Sequence, residues 1–419
     1  MVSILLDGGI HMEQLLDKYA TLAVNIGVNI QKGQTLLIRS AISSAPFTRL
    51  VVKKAYEAGA KDVNILWSDD EITCLRFDLA PDDAFKEFPE YLVKAHEDAV
   101  EKNNALLSIV SDDPDLLKEI PAERIAMASK TAGVAMNDFR RAIQADKVSW
   151  SIVAVPSVAW AAKVFPDLKT ADAQVEALWN AIFFATRLDL EDPVAAWKNH
   201  IKSLTEKADF LNEKRYHALH FNAPGTDLTI ELPEKHLWCA ADSVNKSGTT
   251  FLANLPTEEV FTLPKKMGVN GTVTSKKPLS YGGNLIDNFS LTFKDGRIVN
   301  FSAETGYETL KTIIETDEGS KYLGEVALVS HSSPISTSNL TFYNTLFDEN
   351  ASVHLAIGSA YAFNITGGKE MSTEQLKAEG ANDSITHVDF MIGCDQMNID
   401  AIATDATSTP IFRNGEWVI

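Results

Sequence analysis

"TLLIRSAISSAPFTRLVVKKAYEAGAKDVNILWSDD", residues 35–70, sets the architecture of the first half of this chain. Its opening "TLLIRSAI" is a short apolar run with the length of a buried strand. "APFTRLVVKKAYEAGA" follows with helical spacing, and Gly59 near its end is suited to a helix stop. "DVNILWSDD" then reads as a second strand. A strand, a helix and a strand in so short a span form a βαβ unit, which implies parallel pairing.

The same grammar continues outward. Upstream, Leu15, Leu16, Tyr19, Leu22, Ala23 and Ile26 keep helical spacing. Downstream, "NALLSIVSDD" gives a third strand and "SWSIVAVPS" (149–157) a fourth. The acidic "SDD" ends at 68–70 and 111–113 are read as solvated strand ends. Residues 172–188 and 193–214 read as helices, the second with an apolar face from Val194 to Leu211.

After Lys214 the texture changes. "YHALHFNAPGTDLTIELP" alternates, and the turn pairs Asn270-Gly271, Asp295-Gly296 and Asn414-Gly415 recur. Asp295-Gly296 between "SLTFK" and "RIVNF" is a hairpin signal. Two domains are therefore expected. Residues 12–214 form an α/β domain with a mainly parallel sheet, and residues 215–419 an α+β, strand-rich domain. The start "MVSILLDGGIHMEQ" has no basic region before its apolar Val2–Leu6, so it is not expected to be a signal peptide. His11-Met12 resembles a vector joint, and residues 1–11 are expected to be a vector-derived leader.

At 419 residues the chain exceeds one ordinary core. Its net charge of −19 argues against nucleic-acid or anionic-membrane partners, because no basic surplus offsets phosphates. No run of apolar residues is long enough to span a membrane. Cys74, Cys239 and Cys394 form neither a CxxC pair nor a disulfide framework, which suits a reducing cytoplasm. "GGNLID" at 282–287 does not match GxGxxG and reads as a turn. "HSSP" at 331–334 lacks the G-x-S-x-G turn of a serine hydrolase.

The remaining chemistry is carried by acids and imidazoles in apolar settings. In "THVDFMIGCD" (386–395), His387 and Asp389 are two apart on an expected strand and share a face. They are either a self-satisfied pair or two metal ligands. "NLPTEEVFTLP" carries Glu258 and Glu259, "YLGEVALVS" carries Glu325, and "FDENASVHLAIGSAY" carries Asp348, Glu349, His354 and Tyr361. Singly, Glu259 suits a surface or helix-start acid, and His354 and Tyr361 suit a core. Glu325, interrupting an apolar strand, has fewer such explanations. Together, carboxylates that are costly to bury ask for a shared cation. Imidazole with carboxylate suits zinc, cobalt or manganese better than calcium. A pair of metals roughly 3.5–4 Å apart and bridged by one Glu would use the acids economically, acidify a water and polarise a carbonyl.

These motifs, with "SYGGNLIDNFSLTFKDGRIVNFSAETGYETL" and "LDKYATLAVNIGVNIQKGQ", resemble the M29 metallo-aminopeptidases, the aminopeptidase T, aminopeptidase S and PepS group. The likeness runs over essentially the whole chain from Met12. It implies a hydrolase that removes N-terminal residues from short peptides, using two divalent metals (zinc, cobalt, manganese or magnesium). By the same resemblance Glu259, Glu325, His354, His387 and Asp389 are metal ligands, with Glu325 bridging. Glu349 is implied as a further ligand or as the general base, and Tyr361 as a weak ligand or a hydrogen-bond donor to the reacting oxyanion. A cytoplasmic homodimer with a catalytic C-terminal domain is also implied. Two other readings stand beside it: a non-catalytic metal-binding or scaffold protein, and a metal-dependent amidohydrolase acting on a non-peptide amide.

Overall fold

A computed structural model describes residues 10–111, 113–282 and 284–419. The leader expected at residues 1–11 falls mostly outside them, as does Asp112 in the second acidic strand end. The chain forms two compact units. One runs up to Asn199 and takes in Asp242–Pro256; the other comprises His200–Ala241 and Thr257–Ile419.

The first unit holds the expected parallel sheet. Its strands lie in the order Asp62–Ser68, Thr35–Ala41, Ala105–Val110, Trp150–Ala154, and every pair is parallel. Thr35–Ala41 is central and buries Leu36, Leu37 and Ile38, as an apolar run with neighbours on both sides should. The Ala45–Glu57 helix ends before Gly59, whose φ of +99° only glycine adopts cheaply. The acidic end at residues 68–70 has a local purpose. Asp69 caps the Asp70–Leu79 helix, its carboxylate accepting from the Ile72 N–H at 3.1 Å.

The segment Asp242–Pro256 joins this unit although it lies far along the chain. Its strands Asp242–Val244 and Thr250–Leu252 pair with each other. Asn245 donates from Nδ2 to Ser149 Oγ at 2.9 Å, and Asn254 bridges to Ile152.

The second unit is strand-rich. A nine-stranded sheet is built of antiparallel pairs. Asp295-Gly296 turns the hairpin between Asn284–Lys294 and Arg297–Thr305, both residues at positive φ as that turn requires. Asn270-Gly271 is not a turn. It lies inside the Val269–Thr274 strand, where a Cβ on Gly271 would strike the Asp227 carbonyl of the neighbouring strand. In "GGNLID" Gly282 is a turn residue, and Asn284 onward is strand.

A second sheet of four antiparallel strands has the order His387–Met391, His354–Gly358, Leu323–Leu328, Val260–Thr262. Leu323–Leu328 is buried along its whole length. This sheet carries the acids and imidazoles singled out above.

Candidate metal centre

Register decides which side chains meet. In antiparallel pairing, directly opposed residues share a face. Glu325 opposes Ala356, and Ala356 opposes Asp389, so the three form a row across three strands. One step along, Gly358 opposes His387; one step the other way, Ala327 opposes both His354 and Phe261. Glu259 stands two residues before Phe261, at the entrance to its strand. Glu259, Glu325, His354, His387 and Asp389 thus come to one face. Ala327, Ala356 and Gly358 between them have almost no side chain, which leaves room above the sheet.

A bulge aims Glu325. Leu323 opposes Ile357 and Glu325 opposes Ala356, so Gly324 is an extra residue in its strand. In a regular strand Leu323 and Glu325, two residues apart, would point the same way. With the bulge, Leu323 packs with the apolar side and Glu325 joins the acids. Only glycine fits there, because a Cβ would collide with the carbonyls of Gly358 and Ser359.

The donor atoms form two overlapping groups. Glu259, Glu325 and His354 offer one atom each within 4.8 Å of one another, and so do Glu325, His387 and Asp389. Glu325 belongs to both. Its Oε1 lies 3.5 Å from His354 Nε2, and its Oε2 lies 3.7 Å from His387 Nε2. His354 Nε2 is 3.1 Å from Glu259 Oε2, and His387 Nε2 is 3.4 Å from Asp389 Oδ1.

Both imidazoles are oriented from behind. His354 Nδ1 faces the Ser352 carbonyl at 3.1 Å, and His387 Nδ1 faces the Ser359 carbonyl at 2.7 Å. A carbonyl can only accept, so each Nδ1 carries hydrogen, and each Nε2 is left to face the carboxylates, as an N–H in the imidazolium or as a lone pair in the neutral ring. In the neutral ring that lone pair repels the carboxylates unless a cation lies between, so either a proton on Nε2 or a metal has to fill the gap. Glu259 Oε2, His354 Nε2 and Asp389 Oδ1 are buried and make no hydrogen bond. Buried polar atoms left so are expensive, and divalent cations in the two groups would satisfy all three.

The titration behaviour has the same origin. Burial raises the Glu325 carboxyl, and the charges of Asp389 and Glu259 add to it against the opposing effect of the histidines. Glu349 is raised well above the carboxylate range by burial and by Asp389 and Glu259. Burial works against the charged form of His387, but Asp389 and Glu325 outweigh it and push the imidazole up to about 10. His354 is raised as well, by Glu259 and Glu325 against burial. Protons are held where a metal's charge would serve the acids better.

Glu349 stands outside both three-residue groups. It borders a pocket with Asp389, whose other walls include Leu279, Ser280, Tyr343 and Met391. Tyr361 follows the His354–Gly358 strand and lies tilted over His387, ring centres 4.8 Å apart, with Phe363 stacked at 5.1 Å. Burial and then the charges of Glu325 and Asp389 raise its hydroxyl well above the usual tyrosine range, so it keeps its proton. Asp348 has a different task. It accepts from the Phe342 and Asn344 N–H groups at 2.7 and 3.1 Å, and burial raises its carboxyl to about 7. Glu258 turns away from the group, its Oε2 3.3 Å from His200 Nε2. Sequence reasoning missed His200, which sits on the amphipathic helix Pro193–Lys214 with no local sign of a polar role.

Comparison with known proteins places this arrangement in context. The family model described as thermophilic metalloprotease (M29) matches residues 12–417. The chain is 58% identical to aminopeptidase AmpS of Bacillus subtilis over 404 residues, covering 96% of this chain and 98% of the relative. It is 41% identical to aminopeptidase T of Thermus thermophilus, again over 96% and 98%. The solved structure of wild-type AmpT from Thermus thermophilus superposes with a TM-score of 0.92 at 39% identity, covering 97% of this chain and all of that one.

Proposed function

The chain belongs to the M29 family of metalloproteases, and from that premise we propose that it is an aminopeptidase releasing single residues from the free N-termini of short peptides. The observation that carries the proposal is the sharing of Glu325 by two ligand groups on one sheet face. Two divalent metals are assigned to it, one held by Glu259, Glu325 and His354, the other by Glu325, His387 and Asp389. Bound there, zinc, cobalt, manganese or magnesium would supply Lewis acidity to the scissile carbonyl and make a water more acidic.

The chain's own residues supply the rest. Tyr361, which keeps its proton, is assigned as the donor to oxygen that gains charge as the carbonyl is attacked. Glu349, outside both ligand groups and with a raised proton affinity, is assigned as the carrier that takes a proton and returns it to the leaving amine. The acids around Asp389 attract an α-ammonium, which favours the first peptide bond over internal ones. Catalysis is assigned to residues 215–419, and the working form to a cytoplasmic homodimer. Cys74, Cys239 and Cys394, which form no CxxC pair, are in keeping with a reducing compartment, and no helix among the described residues is long and apolar enough to cross a membrane.

Assay of aminoacyl anilides beside non-peptide amides, with and without a chelator, tests the reading. Chelator-sensitive release of amino acids is expected. Turnover of non-peptide amides alone would favour a different amidohydrolase, and bound metal without any turnover would favour a binding protein.

A further inference from the structure

One peptide group just ahead of Glu259 is held from both ends. The carbonyl of Thr257 accepts from His200 Nε2 at 2.9 Å. The N–H of Glu258, the other half of the same peptide unit, donates to Asn350 Oδ1 at 2.8 Å. Asn350 is itself anchored, donating from Nδ2 to the Leu346 carbonyl at 3.1 Å, while its own carbonyl accepts from Ser333 Oγ at 3.2 Å. It is fully buried. On the far side of Glu259, strand pairing begins at once, with Val260 opposite Leu328. Glu258 and Glu259 are therefore the only two residues between a clamped peptide plane and a hydrogen-bonded ladder, and Glu259 is the one beside the ladder.

Of the ligand candidates, Glu259 alone precedes its strand instead of lying within it. Glu325, His354, His387 and Asp389 inherit their direction from the ladder. Glu259 needs another source of order, since a free peptide plane would let its carboxylate swing. The two clamping side chains come from distant places, His200 from the long helix and Asn350 from the turn that follows Glu349. We infer that His200 and Asn350 are positioning residues that aim Glu259 at the metal site by fixing the Thr257–Glu258 peptide plane. The inference rests on Glu259 being a metal ligand. Its expected size follows from outer-shell groups elsewhere, whose loss costs roughly 10- to 100-fold in metal affinity.

The test is calorimetric titration of the metal-free full-length protein with Co²⁺. The variants are Glu259→Gln, His200→Ala, His200→Gln, Asn350→Ala and the His200→Ala/Asn350→Ala double. His200→Ala and Asn350→Ala should each weaken Co²⁺ binding by roughly tenfold or more, with kcat recovering at saturating Co²⁺. His200→Gln, whose amide can again donate to the Thr257 carbonyl, should stay near wild type. The double should lose less than the product of the singles, because one peptide plane can be freed only once. His200 is partly accessible, so its two variants carry the test even where Asn350→Ala misfolds. Unchanged affinity in His200→Ala beside weakened Glu259→Gln, or losses that simply multiply, would overturn the inference. Unchanged affinity in Glu259→Gln would instead remove its premise.

Discussion

Glu325 and Asp389 stand on either side of Ala356 in one cross-strand row, so two carboxylates face each other across a single methyl group. No apolar packing explains that placement. Two like charges in a buried row repel, and burial penalises each of them. The row is stable only when something positive joins it. The lone pairs of His354 and His387, aimed at the same space by the Ser352 and Ser359 carbonyls, cannot play that part while neutral.

Glu325→Ala should therefore remove both metals and abolish turnover, because Glu325 is the one residue common to both groups. Asp389→Ala should remove the metal of one group only. Elemental analysis of the purified variants, read beside activity, distinguishes these outcomes. Full metal content with full activity in Glu325→Ala would refute its bridging role. Chelated wild-type protein should melt below the loaded form, since a ligand that binds only the folded state stabilises it.

Tyr361→Phe removes one oxygen and keeps the ring stacked on Phe363 and tilted against His387. Loss of one oxyanion donor typically lowers kcat by roughly 10² or more. That fall, with metal content unchanged, is the expected result. An unaltered kcat would mean that the hydroxyl has only a packing role.

A pH effect on stability should arise away from the metal site. His236 is 2% exposed, donates from Nδ1 to the Pro233 carbonyl at 2.7 Å, and is lowered by burial to about 4. The unfolded chain binds a proton at this imidazole near pH 6.5, whereas the folded chain refuses it until about 4. The stability this group contributes is fully present above 6.5 and is lost as pH falls through that window, with a slope approaching roughly 1.4 kcal/mol per pH unit. Urea unfolding of His236→Phe at several pH values should show that acid limb flattened. An unchanged limb would place the effect elsewhere.

An acetyl group on the substrate removes the α-ammonium and the basic lone pair together. A matched pair of pentapeptides, one free and one N-acetylated, should differ almost completely in cleavage when digested with Co²⁺ present and followed by mass spectrometry. Single-residue losses from the free peptide are expected. Peptides beginning with Asp or Glu should be poorer substrates at low salt, an effect that salt screens. Equal digestion of the two peptides, or internal cuts, would refute aminopeptidase specificity.

Much of this was legible in the residues. The strand–helix–strand stretch at 35–70 announced a parallel sheet, because strand and helix periods and the Gly59 stop are local properties. Glu325 was conspicuous as a charge in an apolar run, and His387 and Asp389 as a period-two pair. What no local pattern could show was register. The row Glu325, Ala356, Asp389 depends on a bulge at Gly324, and on pairing between segments more than thirty residues apart. Asn270-Gly271 has the composition of a turn, yet its glycine serves a close approach of two strands. Asp242–Pro256 joins the first unit through Asn245 and Asn254, polar residues that carry no sign of a distant partner. His200 was hidden for the same reason, since its bond to Thr257 spans more than fifty residues.

The position of the His387–Met391 strand also sets an order of events in synthesis. It lies at the edge of its sheet, pairs among the described residues with His354–Gly358, and is the last of that sheet's four strands in chain order. A nascent polypeptide ending before residue 387 lacks two of the five donors and the strand that holds them in line. On the proposed reading, capture of cations would wait for this last strand of the sheet, and a product cut short of it would have no working centre with which to attack its neighbours.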